Sequence, residues 1–435
     1  MVNINEPKDN TTQPFYLDKM RQLMKIRKNG VTNYLISLIV WYLFIGLPLL
    51  IFLSKILGFY FHGFSSLITF VLFLLLLVTN FDKIKINMVK VTYILVYLIP
   101  IIIGAILSNK AGEPYWVQKV LITVFYVFIP MIFSLVINTQ IYDDPVILPK
   151  LALYSIPFEI FFIIRSAMSS SGWFVRVGSS ANAIYFSYSV VNTFLILSCF
   201  LIKDGEKTLA IVLSIIGITF SFVLGTRQVV VYAFIFVILL FVWIRKYTNL
   251  WLSSKGVLSI RYKNLVIVVL VCLIALLLAL SNVPRILNIL KSAAFRWEIV
   301  KNPSEALWGR ERTWKIAFDV IRQRPIFGNF AYEDPGFWAH NMLLDAASQF
   351  GLFFFIIFFF SVLASFVKSL SLLTQNRTIY GIHVFIFMYF LSVLPISFTM
   401  STFLFRPDFN FALFTILFFS VKSVTFKRKV DEEAL

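Results

Sequence analysis

A chain of 435 residues that is 59% hydrophobic, with 49 Phe and only 14% charged residues, has too little charge to coat a soluble domain of its size. The net charge of +18 is not a nucleic-acid signal in that setting, because Lys and Arg collect in the cytoplasmic loops of membrane proteins. Apolar runs of roughly 18 residues or more recur, and about 20 residues cross a hydrocarbon core of about 30 Å. The composition points to an all-α polytopic membrane protein; a β-barrel would show short alternating segments instead.

In chain order, residues 1–33 are polar and mixed in charge, too long and hydrophilic to open a cleaved signal peptide. They are expected to form a cytoplasmic tail ahead of an uncleaved anchor. A transmembrane bundle over 34–281 is predicted to hold nine spans: 34–54, 60–79, 91–108, 116–138, 148–168, 183–202, 208–224, 229–244 and 264–281. A long loop, 282–340, follows. Spans 342–364, 378–397 and 408–423 occupy a region from 341 to 423, and 424–435 form a second cytoplasmic tail. Span 5 is the least regular, with Pro157, Glu159 and Arg165 inside or near it. Pro100, Pro130, Pro157 and Pro395 interrupt spans, and Cys199 and Cys272 lie within spans as small apolar residues.

Orientation follows from the basic residues. One side receives the N-terminal tail with Lys8, Lys19, Arg21, Lys25, Arg27 and Lys28, and later loops with Lys83, Lys150, Lys203, Arg245, Lys368 and Arg377 among others. The short loops of the other side hold only Lys55, Lys110, Lys119, Arg165, Arg176, Arg227 and Arg406. Both termini are therefore expected in the cytoplasm, with the 282–340 loop outside. Long loops escape the positive-inside rule, so its own charge does not oppose this.

Four of those seven outer cations are arginines at span ends. Arginine suits a diphosphate, because its planar fork donates two hydrogen bonds at once and stays charged. Arg227 lies in Leu224-Gly225-Thr226-Arg227-Gln228, a short link between apolar spans, and no acidic residue occurs between Glu206 and Glu298. An arginine at membrane depth costs roughly 2.5–3.5 kcal/mol on insertion scales. It is expected to pair with an anion; snorkelling to lipid headgroups is the alternative. Arg165 and Arg176 flank Met168-Ser169-Ser170-Ser171-Gly172-Trp173, a Ser/Gly-rich loop. For Arg406, before Pro407, simple anchoring of its span is the favoured reading.

The 282–340 loop carries nine basic residues, Arg310 and Arg312 among them. Two amphipathic helices are expected there. Ile286, Ile289, Leu290 and Ala293 share a face of the first; Trp314, Ala317, Phe318 and Ile321 share a face of the second. Pro325 should stop the second helix and Gly328 permit a turn. Of three histidines, His62 and His383 lie in spans and read as structural, whereas His340 ends the basic loop just before an apolar run. An imidazole placed there suits proton transfer near neutral pH.

Taken together, Gly309-Arg310-Glu311-Arg312-Thr313-Trp314, Arg324-Pro325-Ile326-Phe327-Gly328, Ala339-His340-Asn341 and Gln349-Phe350-Gly351-Leu352 resemble the signature loop of bacterial O-antigen polymerases and O-antigen ligases. Thr226-Arg227 is similar to that family's arginine at the start of an earlier span. The resemblance covers about residues 220–365. It implies a GT-C-like membrane enzyme of about twelve spans, with a helical periplasmic loop between spans 9 and 10. Such an enzyme moves a glycan from polyprenyl diphosphate to an acceptor hydroxyl on the outer side of the inner membrane, with inversion. Arg227 and Arg310 match the diphosphate-binding arginines, and His340 matches the histidine that activates or orients the acceptor. Arg312, Arg176, Arg165 and Asn341 are further candidates for substrate binding. No Asp-x-Asp pair or His/Glu cluster suggests a metal, and no cofactor is expected. The partners implied are lipid-linked glycan donor and acceptor, membrane lipids and a chain-length regulator protein, with no nucleic acid. Ligases often carry a second His two positions before the His-Asn pair and an acidic residue just after it; here Trp338 and Met342 stand there. The departure favours a polymerase, with a ligase as the alternative and a lipid-linked oligosaccharide flippase as the non-enzyme alternative. Trp173, Tyr332 and Trp338 are candidates for repeat-unit specificity.

Overall fold

A computed structural model describes residues 31–46, 50, 61–80, 88–108, 112–140, 147–168, 180–203, 206–223, 227–247, 303–330, 339, 341–374, 381–398 and 406–419. Among them every regular element is helical. In chain order these are α1 (Val31–Gly46), ending in a π turn at Tyr42–Gly46, α2 (Phe61–Asn80) and α3 (Met88–Ile106). α4 runs through Pro114–Thr123, a π turn at Val124–Phe128, and Ile129–Gln140. Then come α5 (Ile147–Met168), α6 (Ser180–Lys203), α7 (Lys207–Val223), α8 (Arg227–Tyr247), α9 (Pro303–Gln323), α10 (Met342–Thr374), α11 (Gly381–Ser397) and α12 (Pro407–Phe418). The predicted ninth span and the first amphipathic helix lie outside the described residues. Most of the other predicted spans coincide with a helix to within a few residues. α10 runs ten residues past the predicted 364, and α12 stops five short of 423.

These sequences fold as helices because an apolar setting leaves a backbone no partner but itself. Hydroxyls inside the helices bond back to carbonyls one turn earlier, as Ser198 does to Phe194, Ser214 to Ala210 and Ser392 to Met388. α6 is buried throughout 186–202, and α11 is buried along almost its whole length. With α12 they form the centre, against which α1, α4, α5, α7, α8 and α10 pack. Aromatic rings fill it. Phe44 meets Phe385 at 5.0 Å and Tyr389 at 4.7 Å, and Tyr97 meets Phe354 at 4.9 Å, all edge to face. Such pairs contribute about 0.5–1.5 kcal/mol each beyond area burial.

The outside is apolar too. α2 exposes Leu67, Phe70, Leu74 and Val78; α8 exposes Phe234, Ile238 and Phe241; α10 exposes Phe353, Ile356 and Phe360. Contiguous apolar surface of this kind marks contact with another apolar phase. Among the described residues, Met88–Ile106 and Met342–Leu373 are long and apolar enough to cross a membrane, and eight shorter apolar helices accompany them.

Candidate functional site

The site is built where α9 returns to α10. α9 starts at Pro303, eleven residues before the predicted amphipathic face begins, and ends at Gln323, two residues ahead of Pro325 as expected. Ala317 is buried, with Trp314 and Ile321 partly covered, so a narrow 314/317/321 stripe rests on the bundle. Phe318 was expected on that stripe but is 50% exposed, because it sits one residue off the packed line, about 100° around the helix.

After α9 the chain turns at 325–328, and this turn is spliced into α10. α10 breaks at Gly351, whose φ of 82° and ψ of 171° lie in a region essentially reserved for glycine. In an unbroken helix the Leu352 N–H would bond the Ser348 carbonyl. Instead Leu352 N donates to the Pro325 carbonyl at 2.7 Å, and Asn329 N donates to the Ser348 carbonyl at 2.9 Å. The turn thus fills both halves of one missing rung. Gly328, at φ 64°, backs directly onto Gln349–Gly351, leaving no room for a side chain. Arg324 ties the same turn to the end of α3 through the Leu107 carbonyl, Nη1 to O 3.0 Å.

The head of α10 is capped with similar care. Asn341 Oδ1 accepts the Leu343 and Leu344 N–H groups at 3.0 and 3.2 Å, the geometry of an N-cap. Asp345 Oδ1 accepts the Ala339 N–H at 2.9 Å, and the Asp345 N–H bonds the Asn341 carbonyl at 2.9 Å. Both sequence neighbours of position 340 are therefore fixed to the first turn of α10. Below, Lys119 of α4 is buried, interacts electrostatically with Asp345, and sets its ammonium 5.3 Å from the centre of the Phe330 ring. Phe330 packs on Phe350 at 5.8 Å. Replacing Asn341 by Ala removes the cap and should lower stability by about 0.5–2 kcal/mol, with Asp nearly neutral at the same position. Thermal unfolding of the purified variants in detergent checks this; an unchanged midpoint for the Ala variant refutes the capping role.

The predicted site residues distribute as follows. Arg310 and Arg312 both lie on α9, Arg312 exposed to solvent. Arg227 is the first residue of α8, and Arg165 lies three residues before the end of α5. Asn341 caps α10. His340 and Arg176 lie outside the described residues, as do Trp173, Tyr332 and Trp338. The structure thus brings α9, with Arg310 and Arg312, onto α10, headed by Asn341. His383, read from the sequence as structural, is buried inside α11 against Phe387 and Phe419. Among the described residues no group of three or more His, Cys, Asp or Glu side chains is placed to hold a metal.

Three charged residues acquire partners that sequence reasoning had not assigned. Asp345 was overlooked and Lys119 was counted only among the outer-loop cations, although an acid four residues into an apolar span and a lysine inside another are each unusual enough to notice. Arg406, expected at an outer span end, is buried. It ion-pairs with Asp408, donates to the Tyr389 hydroxyl at 3.3 Å and stacks 4.2 Å over the Tyr188 ring. Its charge is matched from within the bundle. The Arg-Pro-Asp spacing was the available signal: Pro407 opens α12 and puts Asp408 in its first turn, where Oδ1 takes the Phe409 N–H. Compared with protein-family models and with curated proteins, the sequence matches none.

Proposed function

We propose that this chain is a polytopic membrane glycosyltransferase, an O-antigen (surface polysaccharide) polymerase of the bacterial inner membrane. In this reading about twelve spans cross the membrane, both termini are cytoplasmic, and the site faces the periplasm. A glycan carried on polyprenyl diphosphate passes to the non-reducing-end sugar of another lipid-linked repeat unit. Arg227 and Arg310 bind the diphosphate, with Arg312, Arg176 and Arg165 along the approach. His340 takes the proton of the acceptor hydroxyl as that oxygen bonds the anomeric carbon. The opposite bond, from carbon to diphosphate oxygen, breaks with inversion, and the diphosphate leaves with the electron pair. Guanidinium groups suit the charge that grows on such a leaving group. A chain-length regulator would act on the same complex.

One observation carries the reading. The Pro-x-x-Gly turn and the Gln-x-Gly step, separate short patterns in the sequence, are hydrogen-bonded into a single rung, and Asn341 caps the same helix. Patterns that depend on each other physically support a shared origin with the signature loop they resemble.

Purified protein in liposomes, given lipid-linked repeat units, should lengthen them. His340→Ala should reduce elongation by about 10²–10⁴-fold, the usual contribution of a general base. Arg227→Lys keeps the charge but removes the fork, so activity should fall strongly there as well. Full elongation by the His340→Ala variant would overturn the assignment. In cells, loss of a polymerase leaves lipopolysaccharide capped by one repeat unit; loss of a ligase leaves bare core, and loss of a flippase traps single units on the cytoplasmic face.

A further inference from the structure

A second polar cluster lies inside the bundle, independent of the site above. Glu159 of α5 is 1% exposed. Its Oε1 meets the Ser189 hydroxyl at 3.1 Å and the Thr193 hydroxyl at 2.8 Å, both from α6. Ser189 Oγ also lies 2.9 Å from the Ile45 carbonyl, in the π turn that ends α1, and Thr193 Oγ1 lies 3.1 Å from the Ser189 carbonyl. Glu159 Oε2 is buried and has no hydrogen-bond partner. Beside it on α5, Ser155 accepts the Trp41 indole N–H at 2.8 Å.

The hydrogens in this cluster can be counted. Four close oxygen–oxygen contacts share two hydroxyl hydrogens, one from Ser189 and one from Thr193. If Glu159 were ionised, each hydroxyl could serve the carboxylate only by abandoning a backbone carbonyl. A hydrogen on Oε1 supplies the third donor: the acid donates to Ser189, which donates to Ile45, while Thr193 keeps its own bond. Charge gives the same answer. Among the described residues no Lys, Arg or His hydrogen-bonds or ion-pairs with Glu159. Among the described residues α6 hydrogen-bonds Glu159 through the uncharged Ser189 and Thr193, and α1 joins the cluster through the Ile45 carbonyl, which meets Ser189. On α5 itself Lys150 and Tyr154 are exposed. Arg406, which meets α6 through Tyr188, already pairs with Asp408. A buried carboxylate without a cation is far more costly than a neutral acid with one bare carbonyl oxygen.

We propose that Glu159, Ser189, Thr193 and the Ile45 carbonyl form a proton-binding site within the bundle, where Glu159 is held as a neutral acid that joins α1, α5 and α6. Losing the proton breaks the donor chain at the junction of these three helices, so the folded protein holds a proton that the unfolded chain releases. Stability then falls as pH rises, by up to tenfold in the folding equilibrium per pH unit while the difference is one proton.

The test uses the full chain in lipid nanodiscs. In infrared difference spectra at neutral pH, the parent should show a protonated-carboxyl carbonyl stretch that Glu159→Gln lacks, while no carboxylate band is lost. Glutamine keeps the shape and a donor, so E159Q should fold and melt close to the parent. Its melting midpoint should fall less steeply toward alkaline pH; other titrating groups act on both proteins alike, so the difference between the two curves reads Glu159. Loss of a carboxylate band in E159Q, identical pH curves, or failure of E159Q to fold would each overturn the proposal. So would stabilisation of the parent by Na⁺ over K⁺ that E159Q lacks, which would make the occupant a metal cation.

Discussion

Gly351→Ala is expected to unpick the splice between α9 and α10 and, on the function proposed above, to abolish glycan elongation. The added methyl group would overlap the Ile326 carbonyl, and no neighbour can retreat, because that carbonyl belongs to the backbone of the inserted turn. The φ of 82° adds strain of about 1–3 kcal/mol for any L side chain. Relief requires α10 to straighten. Leu352 then recovers Ser348 as its acceptor, and the turn loses both bonds at a net cost of about 0.5–1.5 kcal/mol each. The consequence is not a hole in a core but a detached helix, the one that carries Arg310 and Arg312. Protein level and insertion should survive better than activity. A cysteine pair engineered across the Asn329–Ser348 contact should cross-link in the otherwise unchanged protein and stop doing so when Gly351→Ala is added. Retention of both the cross-link and elongation would refute the coupling.

The second large effect belongs to the buried ion pair. Asp408→Ala leaves Arg406 buried without its counter-charge, and breaking a buried pair in this way costs about 3–5 kcal/mol. Asp408 also accepts from the Tyr389 hydroxyl at 2.6 Å and from Phe409 N at 3.0 Å, so three donors lose a partner together. The double variant Arg406→Leu/Asp408→Ala should be closer to the parent than Asp408→Ala alone, since apolar replacement of a whole pair is often neutral. Thermal unfolding of the three proteins gives the comparison. If the double variant is the least stable, Arg406 has a favourable role beyond neutralising Asp408.

Much of the fold was legible because apolar runs announce helices without reference to their neighbours. The predicted 148–168, 183–202 and 208–224 fall almost on α5, α6 and α7. The exceptions have physical causes. α10 overran its predicted end because 365–374 alternates Ser and Lys with apolar residues. Hydropathy falls there, while Ser365 and Lys368 find carbonyls on α12 at 3.3 and 2.8 Å. α9 began early because Pro303 suits a first helical turn, a signal weaker than the Trp314 periodicity that follows. At the site, Gly328 and Pro325 could be read as punctuation, but their joining to Gly351 could not. That pairing depends on backbone groups, which carry no side-chain signature. Arg406 shows the converse: its position at a span boundary suggested an outward guanidinium, whereas Asp408 two residues on, together with tyrosines from α6 and α11, holds it inward.

The missing rung in α10 has a mechanical meaning. A peripheral amphipathic helix usually floats on its support and pivots about flexible ends. Here the connector after α9 is stitched into the interior of another helix at two points and tied to a third through Leu107. Tilting or screwing α10 must therefore drag the arginine-bearing segment with it, like a bracket bolted to a shaft.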